Sequence, residues 1–212
     1  MTPSTTSRRG QREGKPRQGD RREQAILDAA RDLLGKTALA DLTIEQIARA
    51  AGVSRSSLYF YFAGKEQILA VLYGEVLEQM TAELERWFAD PDKHSEPWSH
   101  ASIEAAVTIA TRNANVLLPA LDNRGASPEI DRVLTTYLDR AIERSTLLIE
   151  RERKAGLAPT GPAAPALARA LMQMTLHSIH DLLRAGASAS DTEELIETVT
   201  VIWARAVGTD PA

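Results

Sequence analysis

Apolar positions recur every three to four residues along almost the whole chain, the spacing of helices that bury one face. Asp20 opens the first such stripe, with Glu23 at the reciprocal capping position and Ile26, Ala29, Ala30, Leu33 and Leu34 inward. That helix is expected to end near Gly35–Lys36, and Leu39 and Leu42 in the following connection read as core. Further on, Ile68, Leu69, Leu72, Val76, Met80 and Leu84 predict one long helix over 65–88. A polar break with two prolines spans Asp90–Pro97. Helices are then expected at about 98–113, 116–121 and 128–154, the last capped by Ser127 with Pro128 at its first position. The loop AGLAPTGPAA, 155–164, leads to two closing helices, 165–185 and 191–207, both apolar over wide stripes. Helices that apolar at the end of a chain must be packed on more than one side. The pattern gives an all-α fold of about nine helices.

One stretch departs from plain helical patterning. In TIEQIARAAGVSRSSLYFYFAGK, 43–65, Thr43 and Gln46 have the spacing of a capping box, and Ile44, Ile47, Ala48 and Ala51 share a face. Gly52 follows where a left-handed turn ends a helix, and Val53 plugs the angle beyond it. Ser54 caps a second short helix that turns Leu58 and Phe62 inward. Arg55, Ser56, Ser57, Tyr59 and Tyr61 are left to face outward. A cation, hydroxyl donors and flat rings suit a DNA groove lined by phosphates.

GVSRSSLYFYFAGKEQIL resembles the helix-turn-helix of TetR-type transcriptional regulators, down to Tyr59, Phe62 and the Lys65–Glu66 pair. The resemblance implies an N-terminal three-helix DNA-binding domain and a C-terminal helical domain that binds a ligand and dimerises. It implies a homodimer through the last two helices, reading double-stranded, palindromic operator DNA. For DNA contact it implies Thr43, Ser54, Arg55, Ser56, Ser57, Tyr59, Tyr61 and Lys65, with Arg55 reading bases and Lys65 holding a phosphate. The domains expected are a basic, disordered arm over 1–19, a head over 20–66 and a body over 67–212.

Composition changes this picture little, and charge changes it more. The net charge of -4 argues against a polyanionic partner until the chain is divided. Residues 1–65 hold 12 Lys/Arg against 7 Asp/Glu, and residues 66–212 hold 13 against 22. A basic front on an acidic rear suits a protein that presents one end to DNA. The arm, with Arg8, Arg9, Arg12, Lys15 and Arg17, reads either as a solvated tail or as a segment that follows phosphates or enters the minor groove. No run of eighteen apolar residues indicates a membrane span, and the N-terminus lacks the apolar core of a secretory signal. Without cysteine there is no disulfide, thiolate nucleophile or Cys-type zinc site. A cytoplasmic protein without a cofactor is expected.

In the second half, IERERKAGLAP and VIWARAVG resemble the EthR-type branch of the same family. That likeness implies an elongated apolar cavity lined by Trp98, Ile109, Leu134, Leu138, Met172, Thr175, Leu176, His180 and Trp203, holding a small apolar effector. Ala105, Ala141, Met172 and His180 depart from the branch's side chains, which leaves the effector open. HSIHD places His177 and Asp181 one turn apart with His180 beside them, a spacing open to a metal ion. Without Cys or HExxH, polar members of the pocket or of an interface are the plainer reading, and no metal is expected. The implied protein is a repressor released by its effector. An activator of the same fold, a helical interaction protein and an enzyme are the alternatives. Against an enzyme stand the missing nucleophile motif and phosphate loop.

Overall fold

The computed structural model describes residues 18–89, 100–186 and 188–207. Among them are nine α-helices and no strand: α1 Gln18–Leu34, α2 Ile44–Ala50, α3 Arg55–Tyr61, α4 Lys65–Ala89, α5 His100–Arg112, α6 Ala114–Asp122, α7 Pro128–Lys154, α8 Ala164–Ala185 and α9 Ala189–Val207. The arm expected over 1–19 lies outside the described residues except for its last two positions. Trp98 lies outside them as well.

Local rules set most boundaries. Ser127 accepts a hydrogen bond from the Ile130 N–H, with Pro128 at the start of α7, as its sequence requires. The start of α1 differs from the expectation. Asp20 was expected to cap α1, yet the helix already begins at Gln18, so Asp20 lies inside the first turn. A carboxylate there complements the positive end of the helix dipole without being the cap.

The head is α1, α2 and α3 around Ile26, Leu42, Ile47, Leu58 and Phe62, all buried. It rests on the start of α4 through Ile68 and Leu69. In the body, α7 packs most extensively on α8 and α4, while α5 lies against α4 and α9. Trp203 is fully buried there, and its indole N–H donates to the Thr175 hydroxyl at 3.0 Å.

Helix α1 is fastened to the body by a polar clamp. Arg31 pairs with Glu75 of α4 at 2.6 Å and donates to the Asn113 side chain at 3.3 Å. Asn115 of α6 donates in turn to the Arg31 carbonyl at 2.9 Å. Head and body thus meet where α4 and α6 run side by side.

Candidate nucleic-acid interface and body cavity

The turn between α2 and α3 is built as the residues dictate. The Thr43 hydroxyl accepts from the Gln46 N–H at 3.2 Å, and the Thr43 N–H donates to the Gln46 side chain at 2.8 Å. Gly52 has φ of 67°, where a Cβ would be strained, and the Val53 N–H returns to the Ala48 carbonyl at 3.0 Å. Ser54 then caps α3 by accepting from the Ser57 N–H at 3.1 Å. These bonds fix the angle between α2 and α3 with Leu58 and Phe62 as the inner face.

Arg55, Ser56 and Tyr59 stand exposed on α3, beside exposed Thr43 and Ser54; Ser57 and Tyr61 are half-buried. The Arg55 guanidinium lies 5.5 Å from the Tyr59 ring centroid, donates to its hydroxyl at 3.4 Å, and pairs with Glu45 of α2 at 2.5 Å. The Tyr59 bond, then the Glu45 charge, push the guanidinium above its ordinary pKa. Arg55 is thereby held across the helix pair by Glu45 and Tyr59. Tyr61 turns back towards α1, its hydroxyl 3.7 Å from where a Cβ on Gly19 would sit. The start of α1 therefore lies beside the end of α3.

Lys65 has other partners than the expected phosphate. Its ammonium donates to the carbonyls of Leu39, Ala40 and Leu42 at 2.7, 3.1 and 2.9 Å. It ties the α1–α2 loop to the start of α4, a contact across more than twenty residues that no local pattern reveals. Phe60, outside the expected set, is 83 % exposed on α3 and edge-on to Tyr61 at 5.2 Å. A large apolar ring at the tip of a polar helix was legible as a signal, since an apolar contact can read a thymine methyl.

In the body, a mostly apolar cavity encloses about 70 Å³ between α4, α5, α6, α7 and α8. Leu138, Met172, Thr175 and Leu176 line it as expected, while Ile109, Leu134, His180 and Trp203 do not. Leu134 and Trp203 are sealed into the core behind it. His180 turns instead to Asp122 at the end of α6, 3.0 Å away, and Arg184 binds the same carboxylate. Burial opposes the Asp122 charge, but the bonds to His180 and Arg184 outweigh it and hold the carboxyl below its usual range. His177 is exposed and contacts the Gln173 carbonyl, so His177, His180 and Asp181 do not converge. Among the described residues no cluster of three metal-binding side chains forms. Among the lining residues that periodicity missed are Tyr73 and Leu77 of α4. They sit one position past the expected stripe, on the flank of α4 that faces the cavity. Burial pushes the phenol of Tyr137, a lining residue on α7, up to about 12.

A capped helix pair offering cationic and aromatic side chains, carried on an all-helical body, is the build of a helix-turn-helix transcriptional regulator. Comparison with known proteins gives the family. Residues 26–72 match bacterial regulatory proteins of the tetR family, and residues 98–208 match the C-terminal domain of the transcriptional regulator EthR. The chain belongs to the TetR family of transcriptional regulators, with a body of the EthR type, and is not an enzyme. It is 30% identical to the HTH-type transcriptional regulator EthR of Mycolicibacterium smegmatis, over 100% of this chain and 98% of that one. Against EthR of Mycobacterium tuberculosis it is 29% identical over 98% of each. The fold also matches the crystal structure of the regulator FadR from Bacillus subtilis in complex with stearoyl-CoA. The TM-score is 0.70 and the identity 17%, over 89% of this chain and 99% of that one.

Proposed function

We propose that the chain is a homodimeric repressor that holds a palindromic operator through α3 of each subunit and releases it when a small apolar molecule enters the body. The observation that carries this reading is the shared ownership of the Arg31 clamp. Glu75 of α4 and Asn113 and Asn115 beside and within α6 grip the head, and the same two helices wall the cavity with Leu77, Met80, Leu117 and Leu121. A molecule that spreads α4 from α6 must therefore move α1.

The cavity's size points the same way. At about 70 Å³ it is far below the roughly 300–1,000 Å³ of a typical ligand site, so an occupant must expand it. Such a ligand binds the expanded state better, and its coupling to DNA equals that difference in affinity. FadR in complex with stearoyl-CoA offers an analogy at the level of fold.

Dimerisation has support in the closing helices. Met174 and Leu182 on α8, and Leu195, Val201 and Ile202 on α9, stay partly exposed in the single chain. Two-fold symmetry would set two α3 helices against two half-sites. On the DNA, Arg55 reads bases after exchanging Glu45 for the groove, and Ser56, Tyr59 and Thr43 position the backbone. Phe60 adds an apolar contact, while Lys65 acts by holding the loop. The arm supplies non-specific attraction: residues 18–65 carry seven Lys/Arg against six Asp/Glu, so four of the five net positive charges of the front lie in residues 1–17. Such work places the protein in the cytoplasm, and among the described residues no helix is long and apolar enough to cross a membrane.

The test starts from a random DNA pool. Sequences retained by the full chain are expected to be palindromic and to bind less tightly as salt rises. Apolar compounds found by thermal shift should then release that DNA. A tight ligand that leaves operator affinity unchanged would refute release by effector.

A further inference from the structure

Among the described residues, the most exposed large apolar side chain is Phe60 of α3. Periodicity sets its place on the helix. Leu58 and Phe62, two residues to either side, are buried. Two residues turn an α-helix through about 200°, so Phe60 stands opposite the face that packs into the head. Ser56, one turn earlier, is exposed on the same outermost line, and its hydroxyl lies 3.0 Å from that of Ser54. Arg55 and Tyr59 lie on one flank, where Arg55 reaches back to Glu45 of α2.

The Phe60 ring is also held in place. It meets the Tyr61 ring edge-on, with planes at 84°, and Tyr61 is half-buried beside the start of α1. A phenyl ring has two rotatable bonds, and one that leans on a fixed neighbour gives up little freedom on meeting a partner. Phe60 belongs neither to the buried core nor to the side chains packed against it. Folding gives no account of it.

We infer that Phe60 is a specificity-determining residue that enters the major groove and reads the C5-methyl group of a thymine in each operator half-site. This rests on the reading of α3 as the DNA-contacting helix and adds a base of its own to it. The major groove admits a helix, and of the four bases thymine alone presents an apolar group there. A phenyl ring over that methyl takes both out of water. Over a guanine, adenine or cytosine edge the same ring covers donors or acceptors and returns no hydrogen bond, which acts against those bases. Phe60 thus selects by attraction and exclusion together. Arg55 stands five residues earlier, about 7.5 Å along the helix axis, so the two side chains reach different base pairs.

The test uses the full chain and the operator retained from the random pool, with each thymine and its symmetry mate replaced in turn by deoxyuridine. That exchange removes the methyl and leaves base pairing intact. Wild type should lose about fourfold in affinity per half-site at one such position, the value of one buried methyl group. Phe60→Ala should bind the thymine and deoxyuridine operators equally at that position. It should also melt at the wild-type temperature and keep the wild-type salt slope, because neither the core nor a phosphate contact has changed. Phe60→Gln, which keeps reach without an apolar tip, serves if the alanine variant binds too weakly to measure, and should be equally blind to the methyl. Three results overturn the proposal while leaving α3 as the DNA-contacting helix: half-sites without a thymine, a wild type indifferent to deoxyuridine at every position, or a methyl dependence that survives in the variants. Failure of wild type to retain any sequence from the pool overturns both readings.

Discussion

Head and body are made of the same helices but spend their polar groups differently. In the head, hydrogen bonds close on themselves: Thr43 with Gln46 and Ser54 with Ser57 locally, and Lys65 with three carbonyls of one loop across more than twenty residues. In the body, a cavity remains open and a phenol inside it is left unpaired. The first arrangement holds a surface in one shape. The second leaves room for a guest to improve the packing, which is what a region that answers to a ligand requires. The two touch at Arg31, where rigid and compliant parts share one side chain.

The strongest way to break this contrast is to enlarge the body's void from the sealed side. Trp203→Ala removes the largest fully buried side chain and takes the indole donor from Thr175. It should lower the unfolding free energy by about 3–5 kcal/mol, read from urea denaturation. A loss under about 1 kcal/mol would mean that the surrounding helices collapse onto the space, so that the body is more compliant than its packing implies.

The head should respond in the opposite currency. Arg55→Ala removes an exposed side chain whose partners are also exposed, so stability should scarcely change. Affinity for the selected operator should fall by about 1–3 kcal/mol, with the preference relaxed at one base position. If affinity falls equally for every DNA sequence, Arg55 holds a phosphate. Thr43→Ala comes next in size. Losing the cap should cost about 1 kcal/mol of stability by thermal melting. A fall in DNA affinity beyond that seen for a cap variant away from α3, such as Ser127→Ala, would show that the Thr43 hydroxyl also reaches the DNA.

How much of this was legible depended on distance along the chain. The capping box, Gly52 and the Ser54 cap act within four residues, so the helix-turn-helix could be drawn from the sequence and its inner face named correctly. The cavity could be read only in part. A stripe through Leu72, Val76 and Met80 describes one face of α4, but α4 is wrapped by several helices and buries a second flank through Tyr73 and Leu77. Periodicity finds the face of a helix with one neighbour and underestimates one with several. Partners far apart were out of reach: Lys65 meets carbonyls more than twenty residues earlier, and His180 meets Asp122 across 58. Nothing in HSIHD states that its second histidine bonds to the end of α6.

That last contact gives the smallest and most diagnostic effect. Asp122 ends α6, and its carboxylate binds His180 and Arg184 of α8. These bonds hold its carboxyl below the ordinary value of 3.8, against the pull of burial. A depressed carboxyl pKa means that the folded state releases this proton more readily than the unfolded chain. Its stabilisation is therefore complete above about pH 4 and is lost as pH falls through the folded value. Because Asp122 is partly exposed, solvent screening limits the effect to under about 1 kcal/mol. Asp122→Asn should lower the melting temperature slightly at pH 7 and flatten its acid fall below pH 4. A variant that keeps the wild-type acid slope would remove the His180–Asp122–Arg184 group from the folding energetics. The same variant sharpens the contrast between the regions, since α6 also carries Asn115, and Asn113 just before it, on the Arg31 clamp. Loosening its far end from α8 should weaken operator binding at pH 7 by less than Arg55→Ala does, and without altering which bases are preferred. A change of base preference would mean that α6 shapes the reading surface itself, and that the head is less self-contained than its hydrogen bonds imply.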